Sequence, residues 1–503
     1  MPETFQLIPI AAQALRSRPI EAQRVSRVPW SQAAHQLAEG RLTLLGLWAS
    51  PSAVSMAVLD GAHHLGLLRV DARRGSFPSV GRLHPAAQRL ERTIADLYGI
   101  IPEDAPDTRP WLDHGCWGLT HPMGETAPQP EAPGPYAFLP VEGESLHQVA
   151  VGPVHAGIIE PGHFRFTVQG ETVVRLEQRL GYTHKGTASL MAGAPVARGA
   201  QLAGRSSGDS TVAYAWAFAQ AVEAATATQV PDRALWLRAL MAELERLANH
   251  LGDVGAICND AAFGMMLAQC SVLRERVLRT CDLCFGHRMM RDRVVPGGVA
   301  QDVDTARVQA LVDLVAEIRA TLPSLVALYD KVASLQDRTV STGTLTEALA
   351  RRFGAGGFVG RAAGRNFDTR KHLPYAPYDQ LQFRVPCRSE GDVNARIWQR
   401  IEEMEESLSL IAQILARLPS GPIAVPLTPP DASREGLGLV EGFRGDVLIW
   451  VALDNRGRIA HSHMRDPSWF QWPLLEAVIE GNIIADFPLC NKSFNCSYSG
   501  QDL

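Results

Sequence analysis

The segment from Val151 to Glu223 groups turn-forming glycines with ionisable side chains at short intervals. Three runs make up this pattern: Gly152-Pro-Val-His155-Ala-Gly-Ile-Ile-Glu160-Pro-Gly-His163-Phe-Arg165, then Gly181-Tyr-Thr-His184-Lys185-Gly186, and then Arg205-Ser-Ser207-Gly-Asp209-Ser210. Glycine lets the backbone turn tightly and approach a partner closely. Polar groups on such turns are more typical of a functional site than of a core, so we expect the rest of the chain to position this stretch.

The composition of the 503-residue chain, 46% hydrophobic and 20% charged, is typical of a globular protein with two or three domains. The net charge of −5 argues against general nucleic-acid binding, which needs clustered basic residues. The longest apolar stretch, residues 42–59, is interrupted by Pro51 and falls short of the ~20 apolar residues of a membrane helix. No secretory signal precedes it. The sequence therefore predicts a cytoplasmic protein, either soluble or held peripherally at the inner membrane by partner subunits.

The alternation of apolar residues predicts an α+β fold in two parts. Residues 1–120 are expected to form a small α/β domain, with strands at 42–48, 53–59 and 65–70 and a helix at 85–98. Residues 121–145 are predicted to be a proline-rich linker, because five prolines between 121 and 135 disfavour a helix. Residues 146–503 are predicted to form a mainly helical domain with an N-terminal β-sheet and a late β-hairpin at 446–463.

Leucine spacing predicts the main helices of the second part at 233–251, 260–285, 305–335, 395–418 and 469–485. Glu243, Arg246 and His250 share one face of the first of these helices, which is either a surface salt-bridge face or the lining of a site. The glutamates of the fourth helix are most simply a solvated outer face, namely Glu402, Glu403, Glu405 and Glu406.

The cysteines and a glycine run offer weaker signals. Of eight scattered cysteines, only Cys281-Asp-Leu-Cys284 has CxxC spacing, and without a second pair nearby it favours ordinary thiols over a metal site. The run Gly354-Ala-Gly-Gly357 lacks the Lys-Ser/Thr of a phosphate-binding loop, so nucleotide binding is not expected there.

The order of the motifs resembles two linked families: the large subunit of membrane-bound group 4 [NiFe] hydrogenases (the hydrogenase-4 and formate hydrogenlyase type) and the large quinone-site subunit of respiratory complex I. The N-terminal run Leu90-Glu91-Arg92 to Asp96-Leu-Tyr-Gly99 resembles the accessory subunit of complex I, which formate hydrogenlyase carries fused to its large subunit. Beyond the runs quoted above, the resemblance rests on Pro231-Asp-Arg233, Glu243-Leu-Glu-Arg246, Arg274-Glu275, Pro296-Gly-Gly298, Asp368-Thr-Arg370-Lys, Pro374-Tyr375 with Tyr378, and Gly391-Asp392.

The resemblance implies a place in a membrane-associated assembly. The expected partners are a small iron–sulfur subunit carrying a [4Fe-4S] cluster, antiporter-like and other membrane subunits, and a quinone as a candidate ligand, with no nucleic acid. No cofactor is expected to bind this chain directly.

The metal motif of the hydrogenase family is altered here. The family pattern Arg-x-Cys-Gly-x-Cys corresponds to Arg205–Ser210, so Ser207 and Ser210 stand at the cysteine positions. At the second pair stand Ser497 and Gly500, while Cys496 is one residue out of register. Nickel prefers soft thiolate ligands, and neither a hydroxyl group nor glycine supplies one. We therefore expect no nickel–iron centre. The chain ends three residues beyond Gly500, so no cleavable extension is expected.

The quinone motif of complex I is also incomplete. His155 stands at the first histidine position, but Ile159 stands at the second, and residues 187–213 contain no tyrosine. A conventional quinone site is therefore not supported. The remaining candidates for a proton or charge relay are His155, Glu160, His163, His184, Lys185, Arg205 and Asp209. Alternatively, Arg205, Asp209 and the two serines form only a structural hydrogen-bond network.

The leading hypothesis is a nickel-free large subunit that couples electron transfer to proton or ion movement. Three alternatives stay open. The first is a non-catalytic scaffold of such a membrane complex. The second is the large subunit of an NADH- or formate-linked quinone or hydrogen oxidoreductase. The third, and weakest, is a hydrogenase with unconventional ligands from Cys490 and Cys496.

Overall fold

The N-terminal part is a four-stranded sheet with the strand order β1-β4-β3-β2, in which β1 and β4 are parallel and the other pairs antiparallel. The computed structural model describes residues 5–11, 18–128, 134–155 and 159–503. Small two-stranded pairings, β5 with β6 and β7 with β8, flank this sheet. The strands are β1 Gln23–Val25, β2 Leu42–Ser50, β3 Ala53–Asp60, β4 Leu65–Asp71, β5 Ser76–Pro78, β6 Ile101–Glu103, β7 Leu119–Thr120 and β8 Ala127–Pro128.

Two helices, α1 (Arg27–Ala38) and α2 (Gln88–Tyr98), accompany this sheet. Leu90 and Ile94 of α2 are buried in the core, and the helix stops where Gly99 adopts a left-handed conformation with φ +69°. The three strands and the helix predicted for this part are thus confirmed. The predicted domain boundary stays a prediction, although residues 134–145 contain no helix or strand.

The second part contains two three-stranded antiparallel sheets and a small hairpin. Phe164 and Phe166 of β10 point into the core shared with the N-terminal sheet. The predicted late hairpin is present, but it is the outer part of a sheet whose first strand, β14, was not predicted. The strands are β9 Leu146–Val151, β10 His163–Gln169, β11 Thr172–Arg179, β12 Val294–Val295, β13 Gly298–Val299, β14 Arg434–Gly442, β15 Gly445–Leu453 and β16 Ile459–Arg465.

The second part contains more helix than strand, and its helices occur together with antiparallel sheets. The predicted α+β class is therefore confirmed. The predicted last helix is shorter than expected, since it ends at Val478 and the tail forms two further short helices. The helices are α3 Thr187–Met191, α4 Val196–Ala203, α5 Thr211–Ala225, α6 Asp232–Asp260, α7 Gly264–Phe285, α8 Thr305–Lys331, α9 Ala333–Thr339, α10 Glu347–Arg352, α11 Gly357–Arg361, α12 Thr369–His372, α13 Val393–Arg417, α14 Ser468–Val478, α15 Phe487–Phe494 and α16 Tyr498–Gln501.

Helix α5 is buried on all sides and fixes the position of the motif that precedes it. Its many alanines allow it to lie directly on β14. A Cβ atom added to Gly438 would lie only 1.9 Å from the carbonyl oxygen of Ala217, so this contact requires glycine. The N-terminus of α5, which follows Ser210, is therefore held rigidly against the sheet.

Several charged residues of α6 and α13 lie in the core rather than on the surface. Glu243, Arg246 and His250 of α6 are all buried, so of the two alternatives for these residues the surface salt-bridge face is wrong. Glu403 of α13 is also buried, and its carboxylate accepts hydrogen bonds from Arg361 Nε at 2.8 Å and contacts His250 Nε2 at 3.0 Å. The prediction that the glutamates of α13 share one solvated face is therefore wrong for Glu403. Its charge can be buried because it has partners of opposite sign.

No helix in the described ranges is both long enough and apolar enough to cross a membrane.

Candidate functional site

The two altered metal motifs lie against each other although 290 residues separate them in the chain. Ser207 Oγ and Ser497 Oγ are 3.1 Å apart. Ser207 Oγ and Ser210 Oγ both donate hydrogen bonds to Asp209 Oδ1, at 2.8 Å and 3.2 Å. The three serines are buried. The fold thus brings three of the four positions together around one carboxylate.

Arg444 supplies the positive charge at this site. It lies in the tight turn between β14 and β15, where Gly445 has φ +134° and lies against Gly357 too closely for a Cβ atom. Arg444 Nη1 donates to Asp209 Oδ1 at 2.7 Å and to Ser210 Oγ at 3.1 Å, and Nη2 donates to Asp209 Oδ2. Burial raises the pKa of Asp209, but the guanidinium more than offsets this effect and lowers that pKa to about 2. Asp209 is therefore ionised and does not carry a proton at neutral pH.

The fourth position, Gly500, has no room for a side chain. A Cβ atom there would lie 2.5 Å from Cγ of Asp466. Asp466 is itself fixed, because its carboxylate accepts a hydrogen bond from the hydroxyl group of Tyr214 at 2.6 Å. Ser497 caps the turn, since its Oγ accepts from the backbone N–H of Gly500 at 2.9 Å. A cysteine at position 500 requires Asp466 to move.

Arg205 lies outside this network. Its side chain is exposed and forms an ion pair with Asp292 at 2.6 Å. The interpretation in which Arg205 joins Asp209 and the serines is therefore wrong, and Arg444 takes that place. The reason is geometric: Arg205 follows the end of α4 and points away from the serine side of its own turn, towards the loop after α7.

Glu160 contacts the C-terminal turn, since its carboxylate accepts hydrogen bonds from the hydroxyl group of Ser499 and from its backbone N–H at 3.1 Å. The two predicted histidines both lie against backbone carbonyl oxygens. His155 Nε2 lies 2.9 Å from the carbonyl oxygen of Gly162, and His163 Nδ1 lies 3.2 Å from that of Gly152. Burial lowers the pKa of His163, which favours its neutral form.

Two further candidates for the proton or charge relay, His184 and Lys185, lie near the end of the C-terminal turn. His184 Nδ1 is 2.8 Å from the carbonyl oxygen of Asp502, whereas Lys185 is exposed. The Asp502 carboxylate accepts hydrogen bonds from the N–H groups of Gly181 and Thr183, both at 2.9 Å. Burial raises the pKa of Asp502 to about 6. This second contact fixes the turn that carries Ser497, and a relay role for His184 or Lys185 stays a prediction.

The residues present do not fit a nickel–iron centre. Within the described ranges, no group of three or more His, Cys, Asp or Glu side chains is arranged to hold a metal ion. Cys490 and Cys496 are buried, and burial raises the pKa of both thiols, to about 11 for Cys490. Cys281 and Cys284 are buried in the helical core, with raised pKa values as well. Burial therefore favours the protonated form of these thiols at neutral pH.

Sequence reasoning missed the partners that complete the site. Arg444 and Asp466 are distant in sequence from the Arg205–Ser210 motif, and no local spacing connects them to it. The one signal in the sequence is an arginine between two glycines, Gly442 and Gly445, at a turn between apolar strands. Tyr214 lies one residue beyond the tyrosine-free segment 187–213, and it is buried.

Comparison with known proteins shows that both parts of the chain are similar to subunits of the respiratory-chain NADH dehydrogenase. The family model of the respiratory-chain NADH dehydrogenase 49 Kd subunit matches residues 260–432, and the model of the 30 Kd subunit matches residues 50–132. The fold therefore defines a complex-I-like oxidoreductase subunit in which the two subunit types are fused.

Relatives that cover most of the chain show to which family within this class it belongs. The chain is 31% identical to formate hydrogenlyase subunit 5 of Escherichia coli over 448 residues, which is 86% of this chain and 78% of that protein. It is 30% identical to hydrogenase-4 component G of the same organism over 473 residues, covering 92% of this chain and 82% of the relative. It is 30% identical to the carbon monoxide-induced hydrogenase of Rhodospirillum rubrum over 352 residues, covering 70% and 98%. The chain belongs to the family of fused large subunits of group 4 [NiFe] hydrogenases, which is related to the 30 Kd and 49 Kd subunits of complex I.

Proposed function

We propose that this chain is a nickel-free large subunit of a membrane-associated oxidoreductase assembly that couples electron transfer to proton or ion movement. The observation that carries this proposal is the Arg444–Asp209 ion pair among the serines at the former metal-ligand positions. A guanidinium group supplies the positive charge beside Asp209, and hydroxyl groups stand where the family has thiolates. Asp466 excludes a side chain from the fourth position.

The residues of the site divide into two groups with different tasks. Asp209 and Arg444 form a fixed ion pair that holds the serine turn and sets a constant electrostatic field. Glu160, beside the C-terminal turn, and His155 are the candidates for moving a proton, because carboxylate and imidazole groups can act as general acids and bases. The electrons are expected to come from a [4Fe-4S] cluster of a small partner subunit, with antiporter-like membrane subunits beyond it.

An exposed apolar loop supports contact with such a partner. Val154, which precedes His155 in the chain, is 82% exposed, and Ile159, which precedes Glu160, is 55% exposed. Neighbouring exposed apolar side chains are typical of surfaces that bind another protein. The proposal therefore places the small iron–sulfur subunit over this loop.

Replacing Val154 by aspartate is expected to weaken the assembly. A charge at this position must be desolvated in the interface, so we expect the partner's affinity to fall at least about tenfold, equivalent to ~1.4 kcal/mol. Co-purification of the partner subunits with the tagged chain measures this effect. Val174→Asp is the matched control, because Val174 is 43% exposed on β11, away from this loop. Equal recovery of partners with both variants would contradict the placement.

The rival proposal is a non-catalytic scaffold, and a specific observation favours it. Asp209 and the three serines all have hydrogen-bond partners within the chain, so the network needs no ligand to be stable. Replacing His155 by alanine distinguishes the two proposals. If the chain takes part in the reaction, electron flow through the intact complex falls although the complex assembles normally. Unchanged electron flow with normal assembly supports the scaffold.

A further inference from the structure

A small cleft runs beside the altered motif, between α6, α7 and the loop that follows α7. It is lined by Gly208, Asp209, Glu245, Asn249, Cys281 and Met289. Gly208 is exposed at its mouth, and the Asp209 side chain, 30% exposed, reaches into the same region. The amide group of Asn249 donates to the backbone carbonyl of Asp209 at 2.7 Å, which ties α6 to the turn. This cleft therefore connects the inner face of the motif with solvent.

Glu245 is the carboxyl group at the bottom of this cleft, and it is only 7% exposed. Its Oε2 accepts from the backbone N–H of Val212 at 2.7 Å, and its Oε1 accepts from that of Ala213 at 3.1 Å. These are N–H groups of the first turn of α5, which have no partner within the helix. In the described part of the chain Glu245 forms no ion pair, whereas Glu243 on the same helix contacts Arg370 at 2.8 Å.

The charged and titratable groups around Glu245 do not neutralise it. Asp209 faces it from the turn and Cys281 from α7, while Arg246 follows it on α6. Two further arginines, Arg274 and Arg288, line the outer cleft without forming an ion pair with it. Burial raises the pKa of Glu245 to about 8, against the opposing effect of the two N–H groups, and the Asp209 charge adds to the rise.

We propose that Glu245 is a further group that takes up and releases a proton, on the cleft side of the motif, with the cleft as its route to solvent. On release, the carboxyl O–H bond breaks and a water molecule at the mouth accepts the proton; uptake reverses this step. The ionised form binds the N–H groups of Val212 and Ala213 more strongly than the neutral form. The charge on Glu245 thus sets how firmly the Ser207–Ser210 turn is held. The use of this proton in a redox cycle rests on the proposed function, but the titration itself does not.

The proposal fixes the sign of a pH effect on stability. The pKa of Glu245 is higher in the folded chain than in the unfolded chain, so the folded state binds more protons between the two values. The stability contribution of Glu245 is therefore complete at acid pH and is lost as the pH rises to about 8. Glu245→Gln removes this dependence, and the wild-type chain should lose stability relative to the variant as the pH rises.

Infrared difference spectroscopy of the purified full-length chain tests the titration directly. In wild type, raising the pH from about 6 to about 10 should abolish the carbonyl stretching band of a protonated carboxyl group with a midpoint near 8. This band should be missing from Glu245→Gln, and it should persist in Asp209→Asn and in Glu91→Gln, whose carboxyl group has a pKa of about 7. The same difference spectrum in wild type and Glu245→Gln would overturn the proposal.

A second measurement covers the case in which Glu245→Gln does not fold. Carboxyl carbon-13 labelling of glutamate alone in the wild-type chain shifts glutamate bands and leaves aspartate bands in place. No shifted band with a midpoint near 8 would overturn the proposal without any variant. Neither measurement depends on metal content or electron flow, so failure of the proposed function and failure of this inference are distinguishable.

Discussion

Replacing Arg444 by methionine is expected to destabilise the folded chain by about 2–3 kcal/mol, because it leaves the partly buried Asp209 carboxylate without its cation. Among the described residues, the donors that remain to the Asp209 carboxylate are the hydroxyl groups of Ser207 and Ser210. The pKa of Asp209 should rise from about 2 towards or above its ordinary value, since the charge that lowers it is gone. Urea denaturation of the purified chain at neutral pH measures the loss of stability.

Arg205→Met is the matched control for this experiment. Arg205 belongs to the same motif and also forms an ion pair, but that pair is exposed. Exposed ion pairs contribute about 0–1 kcal/mol, so the control should remain close to wild type. Adding Asp209→Asn to Arg444→Met should restore part of the lost stability, because the double variant no longer buries an unpaired charge. Equal stability of Arg444→Met and Arg205→Met would contradict the importance of the Arg444–Asp209 pair.

Replacing Glu403 by alanine is expected to lower the free energy of unfolding by about 3–5 kcal/mol, since it breaks a buried ion-pair network. Its carboxylate lies between Arg361 and His250, and both of these side chains are buried. The measurement is again urea denaturation. Glu405→Ala is the matched control, because Glu405 is exposed on the same helix only two residues away. If the two variants lose the same stability, the charged group in the core is not what supports this part of the fold.

The buried network also explains a limit of sequence reasoning. Periodicity predicted helices at 233–251 and 395–418, because their apolar residues recur every three or four positions. The structure has them at 232–260 and 393–417, so the first helix extends nine residues beyond its predicted end. It assigned Glu403 to a solvated face together with its neighbours, because a charged residue looks the same in sequence whether or not it has a buried partner. Arg361, which neutralises it, is 42 residues away. Only the fold shows that this glutamate has an inward-facing partner.

At the candidate site, too, part of the arrangement was predictable from the sequence and part was not. The spacing of Arg205–Ser210 and the position of Ser497 were enough to identify the two altered motifs, and the fold brings Ser207 and Ser497 into contact. The arginine that meets Asp209 was not predictable, because it comes from a strand turn 235 residues further along the chain. The nearest candidate in sequence, Arg205, points away.

The structure also suggests why reversing the serine changes alone would not restore a metal site. With cysteines in place of Ser207, Ser210 and Ser497, the Asp209 carboxylate and the Arg444 guanidinium paired with it would still lie among the ligand positions. Gly500 would still lie against Asp466. The altered ligand positions and these neighbouring charged groups support the proposal that a protein ion pair takes the place of the metal in this pocket.

The metal content of the purified intact complex is the most direct test of this account. Elemental analysis by mass spectrometry should find iron, expected from the clusters of the partner subunits, and no stoichiometric nickel. Nickel in an amount equimolar with this chain would contradict the account.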